Sequence, residues 1–363
     1  MPQIIYPINF SEDDSTQVRG DLHLEKPLPY EHLQGSGFYR QGKILVEGCA
    51  PLELVLYHNE ATAGFIYLHN GRVDTNLLAT AGLAADEIAR IRRVYLPGQL
   101  CLGAERSQII GRAMQAIFAA PPLQSSIAAQ EQQNLAVFPI AREGLKYQVT
   151  ESIYANYGYY CDEIILDAHH VFDHSVPLYN RKVEMTLFKD KDLDRNQHRD
   201  IRVAFIADSI ASGLVMKEVI ARVKERFEHI RQVEVIAPLA TVRGLCRIAR
   251  SECAQQMAVR VHVFETLLNA LPPDYYYSAH FNLPEFHIRP DLEERYRRWW
   301  GADAAGNLIA DTACAGYGWS EVFFSPRKQI QMINGQLQSR HEVTIADLIR
   351  RNLDEGQEGE WLS

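Results

Sequence analysis

Apolar residues fall in short continuous runs through the second half of this chain and in shorter, interrupted runs through the first, and the two patterns predict different sheets. Leu135 to Ile140, Glu163 to Asp167, Val203 to Ala207 and Val233 to Pro238 are compact apolar stretches of strand length. Between several of them the spacing turns helical, over Leu145 to Tyr154 and Val242 to Met257. The clearest unit is Val203 to Ala207, the turn Asp208-Ser209-Ile210-Ala211-Ser212-Gly213, and the stretch Leu214 to Ile230. That stretch carries Val215, Val219, Val223, Phe227 and Ile230 on one helical face, with Lys217, Glu218, Lys224 and Glu225 among the other positions. Apolar strands alternating with amphipathic helices predict an α/β fold whose parallel sheet is covered by helices on both faces.

Residues 1–95 read differently. Lys43 to Val46, Leu52 to Tyr57 and Ala63 to Leu68 are short apolar or alternating runs, separated by Gly48-Cys49-Ala50-Pro51 and Asn70-Gly71. Turn residues at that spacing predict a small antiparallel sheet, a β-rich N-terminal domain. Ala84 to Val94 reads as helix, Leu96-Pro97-Gly98 as a junction, and Ser107 to Phe118 as a second helix with Ile109, Ile110, Met114 and Ile117 on one side. The α/β domain then covers 96–350. An acidic tail, 351–363, frays from its end.

Composition narrows the classes. The 363 residues are 47% hydrophobic and 23% charged, an ordinary globular balance. A formal charge of −9 argues against a nucleic-acid partner, because backbone binding needs a basic surface. The clusters Arg295, Arg297, Arg298 and Arg243, Arg247, Arg250 are read as solvated helix faces. Six cysteines (Cys49, Cys101, Cys161, Cys246, Cys253, Cys314) form no Cys-x-x-Cys pair, so neither a zinc site nor a disulfide framework is expected, and a reducing cytoplasm is the default. Met1 to Phe10 has no signal pattern, and no apolar run approaches the roughly 18 residues of a membrane span. His169 and His170 with Asp167, Asp173 and His174 form the one dense histidine group, read as a polar loop after a strand rather than a metal site.

In open parallel sheets ligands sit beyond the carboxyl ends of the strands, so the chemistry belongs to the loops after Ile140, Ala207 and Pro238. The turn from Asp208 to Gly213 leads into a helix whose amino end offers free N–H groups and a positive partial charge. Ser209 and Ser212 can add hydroxyl donors; the competing reading is that Asp208 and the serines only cap the helix. The loop after the first parallel strand reads Pro139-Ile140-Ala141-Arg142-Glu143-Gly144-Leu145, in which backbone N–H groups and the Arg142 guanidinium can wrap an anion. The basic pair Arg181 and Lys182 lies between the two loops. Two anion loops plus that pair suggest a ligand carrying two separated phosphate groups.

The order of these parts resembles the type I phosphoribosyltransferases, within them the uracil phosphoribosyltransferase branch. Arg142-Glu143-Gly144 is similar to the family's Arg-x-Gly pyrophosphate loop, and Leu178-Tyr179-Asn180-Arg181 to its Leu-Tyr-Arg segment with one residue more. Ala211-Ser212-Gly213 fits the centre of the sugar-phosphate loop, Ile236-Ala237-Pro238 the strand that follows, and Leu268-Asn269 a later Leu-Asn. Ile288 to Leu292 or Gly301 to Asn307 stands where the base-recognition loop belongs. The likeness spans about residues 100–325. Departures accompany it: Ala207 occupies the first acidic position of the sugar-phosphate loop, leaving Asp208 alone, and Leu214 and Val215 follow Gly213 where Gly or Thr and then Ser or Thr are usual. The N-terminal sheet has no counterpart.

The resemblance implies transfer of phosphoribose from phosphoribosyl pyrophosphate to a small heterocyclic acceptor, with Mg²⁺ held at Asp208. Arg142, Asp208 and Arg181 would be catalytic. Glu143, Gly144, Lys182, Ser209, Ile210, Ala211, Ser212 and Gly213 would bind the substrate. Tyr275-Tyr276-Tyr277 or Trp299-Trp300 would stack on the acceptor or else pack at a contact, and the assembly would be a homodimer. Two other classes stay open: a non-catalytic module that binds phosphoribosyl pyrophosphate or a nucleotide, and another enzyme acting on a ribosyl phosphate.

Overall fold

The computed structural model describes residues 3–12, 16–71, 75–90, 94–175, 181–187, 200–268, 289–310 and 321–354. The chain begins with five strands, β1 (Ile4–Ser11), β2 (Gln17–Leu24), β3 (Leu28–His32), β4 (Gly35–Val46) and β5 (Leu52–His58). Then come α1 (Glu60–Ile66), β6 (Leu68–Gly71), α2 (Thr75–Thr80), α3 (Ala85–Arg90), β7 (Val94–Pro97), α4 (Gly103–Phe118) and α5 (Pro121–Ala128). The α/β part runs through β8 (Leu135–Ala141), α6 (Val149–Tyr157), β9 (Asp162–Glu163), β10 (Leu166–Phe172), β11 (Arg181–Leu187) and β12 (Val203–Ala207). It continues with α7 (Leu214–Arg226), β13 (Gln232–Ile236), α8 (Val242–Ala249), α9 (Glu252–Gln256) and β14 (Ala258–Phe264). Four helices follow: α10 (Pro290–Trp300), α11 (Glu321–Phe324), α12 (Pro326–His341) and α13 (Ile345–Asp354).

One large sheet has the order β1-β2-β4-β5-β14-β13-β12-β8-β10-β11, with β3 beside β4 and β9 beside β8. From β5 through β14, β13, β12 and β8 to β10 every pairing is parallel. The N-terminal strands are antiparallel, as expected, but they form no sheet of their own: β5 pairs antiparallel with β4 on one side and parallel with β14 on the other. The reason lies in β5 itself. Six of its seven residues are buried, so it needs a neighbour on each edge and cover on each face. Two further readings change. Ala63 to Leu68, expected as a strand, lies mostly in α1. Val242 to Met257 is two helices, because Ser251 accepts a hydrogen bond from the Ala254 N–H and caps α9.

The chain divides into two compact units, Met1–Glu60 with Ile110–Phe286, and Ala61–Ile109 with His287–Ser363, rather than near residue 95. In the first, the register sets Ile206 against Phe138, so Phe138 and Phe205 face opposite sides of the sheet. Phe205 meets Phe118 of α4 at 5.9 Å between ring centres, and Phe138 meets Phe227 just past α7 at 5.3 Å. Helices therefore cover both faces. Burial of each such ring contributes about 1.5–3 kcal/mol. The N-terminal strands are fastened to α8 by Glu12, whose carboxylate pairs with Arg247 and, at 2.6 Å, with Arg250. Burial opposes ionisation of Glu12, yet the two guanidinium groups hold its carboxyl below the usual range.

The second unit contains the antiparallel pair β6–β7 and the helices α2, α3 and α10 to α13. Buried Arg106 donates to the carbonyls of Phe65 (2.8 Å) and Gly98 (2.7 Å). A Cβ at Gly98 would lie 2.0 Å from the Phe65 oxygen, which explains the glycine. Trp299 and Trp300 are fully buried here, with the Trp299 indole N–H on the Tyr95 carbonyl at 2.8 Å. They are core residues of this unit, so the pair neither stacks on an acceptor nor lies exposed for a subunit contact. Among the described residues no helix is long and apolar enough to cross a membrane, and the five described cysteines are free.

Candidate functional site at the ends of β8 and β12

The parallel strands end on one edge in near-level register, with Ala207 opposite both Pro139 of β8 and Ile236 of β13. The loop after β8 therefore meets the turn after β12. Gly144 makes that meeting tight: a Cβ there would lie 2.0 Å from the Ala207 carbonyl oxygen, so no larger residue fits without moving backbone. The peptide bond between Ala141 and Arg142 is cis. Arg142 is exposed, and its guanidinium has no hydrogen-bond or ion-pair partner among the described residues. Its neighbour Glu143 points inward and is 8% exposed.

Three oxygens join the two loops. Buried Tyr147 donates to Glu143 Oε1 at 2.7 Å, Ser209 Oγ lies 2.6 Å from the Tyr147 oxygen, and Ser209 Oγ reaches Glu143 Oε1 at 3.3 Å. Burial pushes the Tyr147 phenol far above its ordinary value, with Glu143 and Asp208 adding to the shift, so it remains a donor. Asp208 stands beside this group. Its side chain keeps some exposure, but dense surroundings raise its carboxyl well above the usual carboxylate range, and the negative charge of Glu143 raises it further.

The rest of the turn is stitched to β13 and α8. Ile210 N–H donates to the Leu239 carbonyl at 2.8 Å, and Thr241 N–H to the Ile210 carbonyl at 3.0 Å. The Thr241 hydroxyl donates to the Ala211 carbonyl at 2.6 Å while accepting the Gly244 N–H at 2.9 Å, which caps α8. Gly213 has φ +79°, and its Cβ would sit 2.5 Å from the Gly244 oxygen; both conditions exclude a side chain. Ser212, 2% exposed, accepts the Leu214 N–H at 3.3 Å, and its carbonyl is held by Arg247. The Ser212 hydroxyl thus serves the start of α7. Ile210 and Gly213 are buried too, Ala211 is half-buried, and Asp208 and Ser209 are the polar side chains this turn presents at the edge.

The segment read as a polar histidine loop is a hairpin, with β10 antiparallel to β11 and His170 opposite Val183. Alternation along β11 separates the basic pair. Arg181 is 4% exposed with its guanidinium 5.9 Å from the Phe172 ring centre. Lys182 is 49% exposed and pairs with Asp173 (3.7 Å) and Glu184 (3.6 Å) on the hairpin itself. Burial, with Arg181, Arg247 and His169 nearby, drives His170 down to about 4. Arg181 and Arg247 thus both act on His170, whereas Glu143 meets Ser209 of the turn. Residues 177–180, Asn269, Tyr275 to Tyr277, Ile288 and Cys314 lie outside the described residues.

Among the described residues no group of three or more His, Cys, Asp or Glu side chains is placed to hold a metal ion. Asp208 with Glu143 supplies two carboxylates, a donor set that suits Mg²⁺ only when phosphates and waters complete it. Sequence reasoning missed Tyr147, whose only signal was its position four residues after Glu143, and the role of Arg247 in holding the turn. No family model matches the chain, and no curated protein sequence matches it. Among solved structures it is similar to an adenine phosphoribosyltransferase from Trypanosoma brucei, in complex with AMP, pyrophosphate, and ribose-5-phosphate. That likeness has a TM-score of 0.33 at 9% identity and covers 67% of this chain and 95% of the other. Similarity at that level leaves the chemistry to be read from this chain's own residues.

Proposed function

We propose that this protein is a phosphoribosyltransferase-like enzyme that moves phosphoribose from phosphoribosyl pyrophosphate to a ring nitrogen of a heterocyclic acceptor. The observation that carries the reading is the fusion of two loops at one sheet edge: an exposed, unpartnered Arg142 follows β8, and Asp208 follows β12 beside the same loop. A cation on one loop and a carboxylate on the other, at the same sheet edge, suit a ligand with a charged leaving group and a sugar.

In the reaction the bond from the anomeric carbon to the pyrophosphate oxygen breaks, and its electron pair leaves with pyrophosphate. A carbon–nitrogen bond to the acceptor forms, and the acceptor's N–H proton is released. Arg142 would face the charge that grows on pyrophosphate, an interaction stronger in the transition state than in the ground state. Asp208 would accept hydrogen bonds from ribose hydroxyls. Mg²⁺, bound through pyrophosphate with Asp208 as a protein ligand, would supply further charge neutralisation. Arg181, buried beside Phe172 on the hairpin, would help to neutralise the pyrophosphate charge. Homodimer assembly belongs to the same proposal.

The test is incubation with labelled phosphoribosyl pyrophosphate and a panel of heterocycles, following pyrophosphate release. Turnover with at least one acceptor is expected, and Arg142→Ala should lower kcat more than it raises KM. Absence of release with every acceptor, despite tight binding, would favour the second reading, a non-catalytic phosphoribosyl pyrophosphate sensor. One observation supports that alternative: buried Ser212 and the half-buried Leu214 and Val215 leave few side-chain donors at the start of α7.

A further inference from the structure

We propose that Glu12, just past β1, is a positioning residue for the turn after β12: it aims Arg247 at the Ser212 carbonyl and so sets the direction of the Gly213 N–H. The inference rests on the phosphoribosyl reading, in which the turn from Asp208 to Gly213 takes the phosphate carried by the sugar.

Few side-chain donors stand at the start of α7, so backbone N–H groups have to hold that phosphate. Those of Ala211, Ser212 and Gly213 make no hydrogen bond among the described residues. A trans peptide points its C=O and N–H in opposite directions, so whatever grips a carbonyl also aims the N–H of the next residue. All three carbonyls concerned are gripped. The Thr241 N–H donates to the Ile210 carbonyl at 3.0 Å, the Thr241 hydroxyl to that of Ala211 at 2.6 Å, and the Arg247 guanidinium to that of Ser212. Thr241 is fixed by its own place as the cap of α8. Arg247 is long and flexible and needs a second hold, which Glu12 gives by accepting from the other arm of the same guanidinium. The Glu12 carboxylate also takes Arg250 at 2.6 Å, and the Arg243 guanidinium lies 5.3 Å from the Phe10 ring centre. The end of β1 is thus tied to α8 through three arginines. Glu12 and Arg247 are both buried, so water competes little for their contact. On this account the N-terminal strands support the site rather than merely extend the sheet.

The test is calorimetry on the full chain with two probes, ribose 5-phosphate and pyrophosphate. The first needs the turn, whereas the second belongs to the loop after β8. Glu12→Ala should weaken ribose 5-phosphate by about tenfold, the weight of one hydrogen bond to a charged group, and leave pyrophosphate within about twofold. Glu12→Gln, which keeps one acceptor oxygen for Arg247, should recover part of that loss. An equal loss for both probes, or none for ribose 5-phosphate, would overturn the proposal and leave Glu12 as a tie between β1 and α8. If the wild-type chain does not bind ribose 5-phosphate, the phosphoribosyl reading itself fails and this inference falls with it. Thermal melting separates lost aim from lost fold. Should Glu12→Ala not fold, Arg247→Lys takes its place: it keeps a cation opposite Glu12 but has no fork to span both groups, and the same selective loss is expected.

Discussion

Two carboxylate groups, one inside the sheet on β13 and one in the turn just past β12, are treated in opposite ways. Glu234 on β13 is surrounded by partners: His262 Nε2 at 2.6 Å, the Ser126 hydroxyl at 2.5 Å and Arg260 at 3.3 Å. Tyr57 completes the chain by bonding His262 Nδ1 at 2.7 Å. Burial opposes ionisation of Glu234, but His262, Arg260 and Ser126 together hold it below the usual carboxylate range. Asp208 is as closely surrounded and has the negative Glu143 for a neighbour, and its carboxyl is raised. Glu234 is fully buried and Asp208 half-buried, and it is Glu234 that has Arg260 and His262 beside it. One group is finished by the fold, as a buried charge must be if it serves structure alone. The other is not, and a carboxyl perturbed in that way is a candidate for function.

The comparison can be broken most directly at Glu234. Glu234→Ala strands His262 and Arg260 without their acid and should cost about 3–5 kcal/mol in denaturant unfolding. A loss below about 1 kcal/mol would mean that the network is not what holds β13 and β14 together. Gly144→Ala comes next. Its Cβ meets backbone rather than a flexible side chain, so the loop must shift; a stability loss of about 1–3 kcal/mol and disappearance of phosphoribosyl binding are expected.

Asp208→Asn should act in the other direction. A carboxyl whose folded pKa is raised contributes stability below its unfolded value, about 3.9, that is lost as pH rises through the folded value. Asparagine never ionises, so the variant avoids that loss. Its melting temperature should match wild type near pH 4 and exceed it at pH 8, by about 2–4 °C for each 1 kcal/mol relieved. Equal melting at both pH values would mean Asp208 is not strained by its neighbours. The smallest effect belongs to Lys182→Ala, whose ion pairs lie on an exposed hairpin face: a change within about 0.5 kcal/mol, fading with salt, is expected.

Local signals were legible and distant ones were not. The β12 run, its turn and the start of α7 at Leu214 stand as the sequence reads, because five buried residues and Gly213 are an unambiguous strand–turn–helix text. The helical face was misplaced by a step: Met216 and Ile220 are buried with Val219 and Val223, while Val215 is half-buried. β14 escaped notice because Arg260 and His262 interrupt its apolar run, and both are satisfied by Glu234 across the sheet. The His169–His170 part of β10 read as loop because polar residues stand on both faces there, Asp167, His169, Lys182 and Glu184 on one and His170 and Arg181 on the other. The pairing of β5 with β14 was invisible, since it joins residues about two hundred positions apart. At the same edge it creates the buried His58–Glu265 contact at 3.0 Å. At the site, Arg142, Gly144 and Asp208 were recognisable from their places at strand ends. The company of Glu143 was not, because adjacency of two loops is a property of sheet order.

Titration calorimetry of the wild-type chain and Arg142→Ala with phosphoribosyl pyrophosphate, with and without Mg²⁺, addresses the β8–β12 edge most directly. Wild type should bind, more tightly with Mg²⁺, and Arg142→Ala should weaken binding by about tenfold or more, in keeping with loss of a charge-assisted contact. No heat from the wild-type chain at millimolar ligand, or equal affinity in the variant, would contradict the assignment.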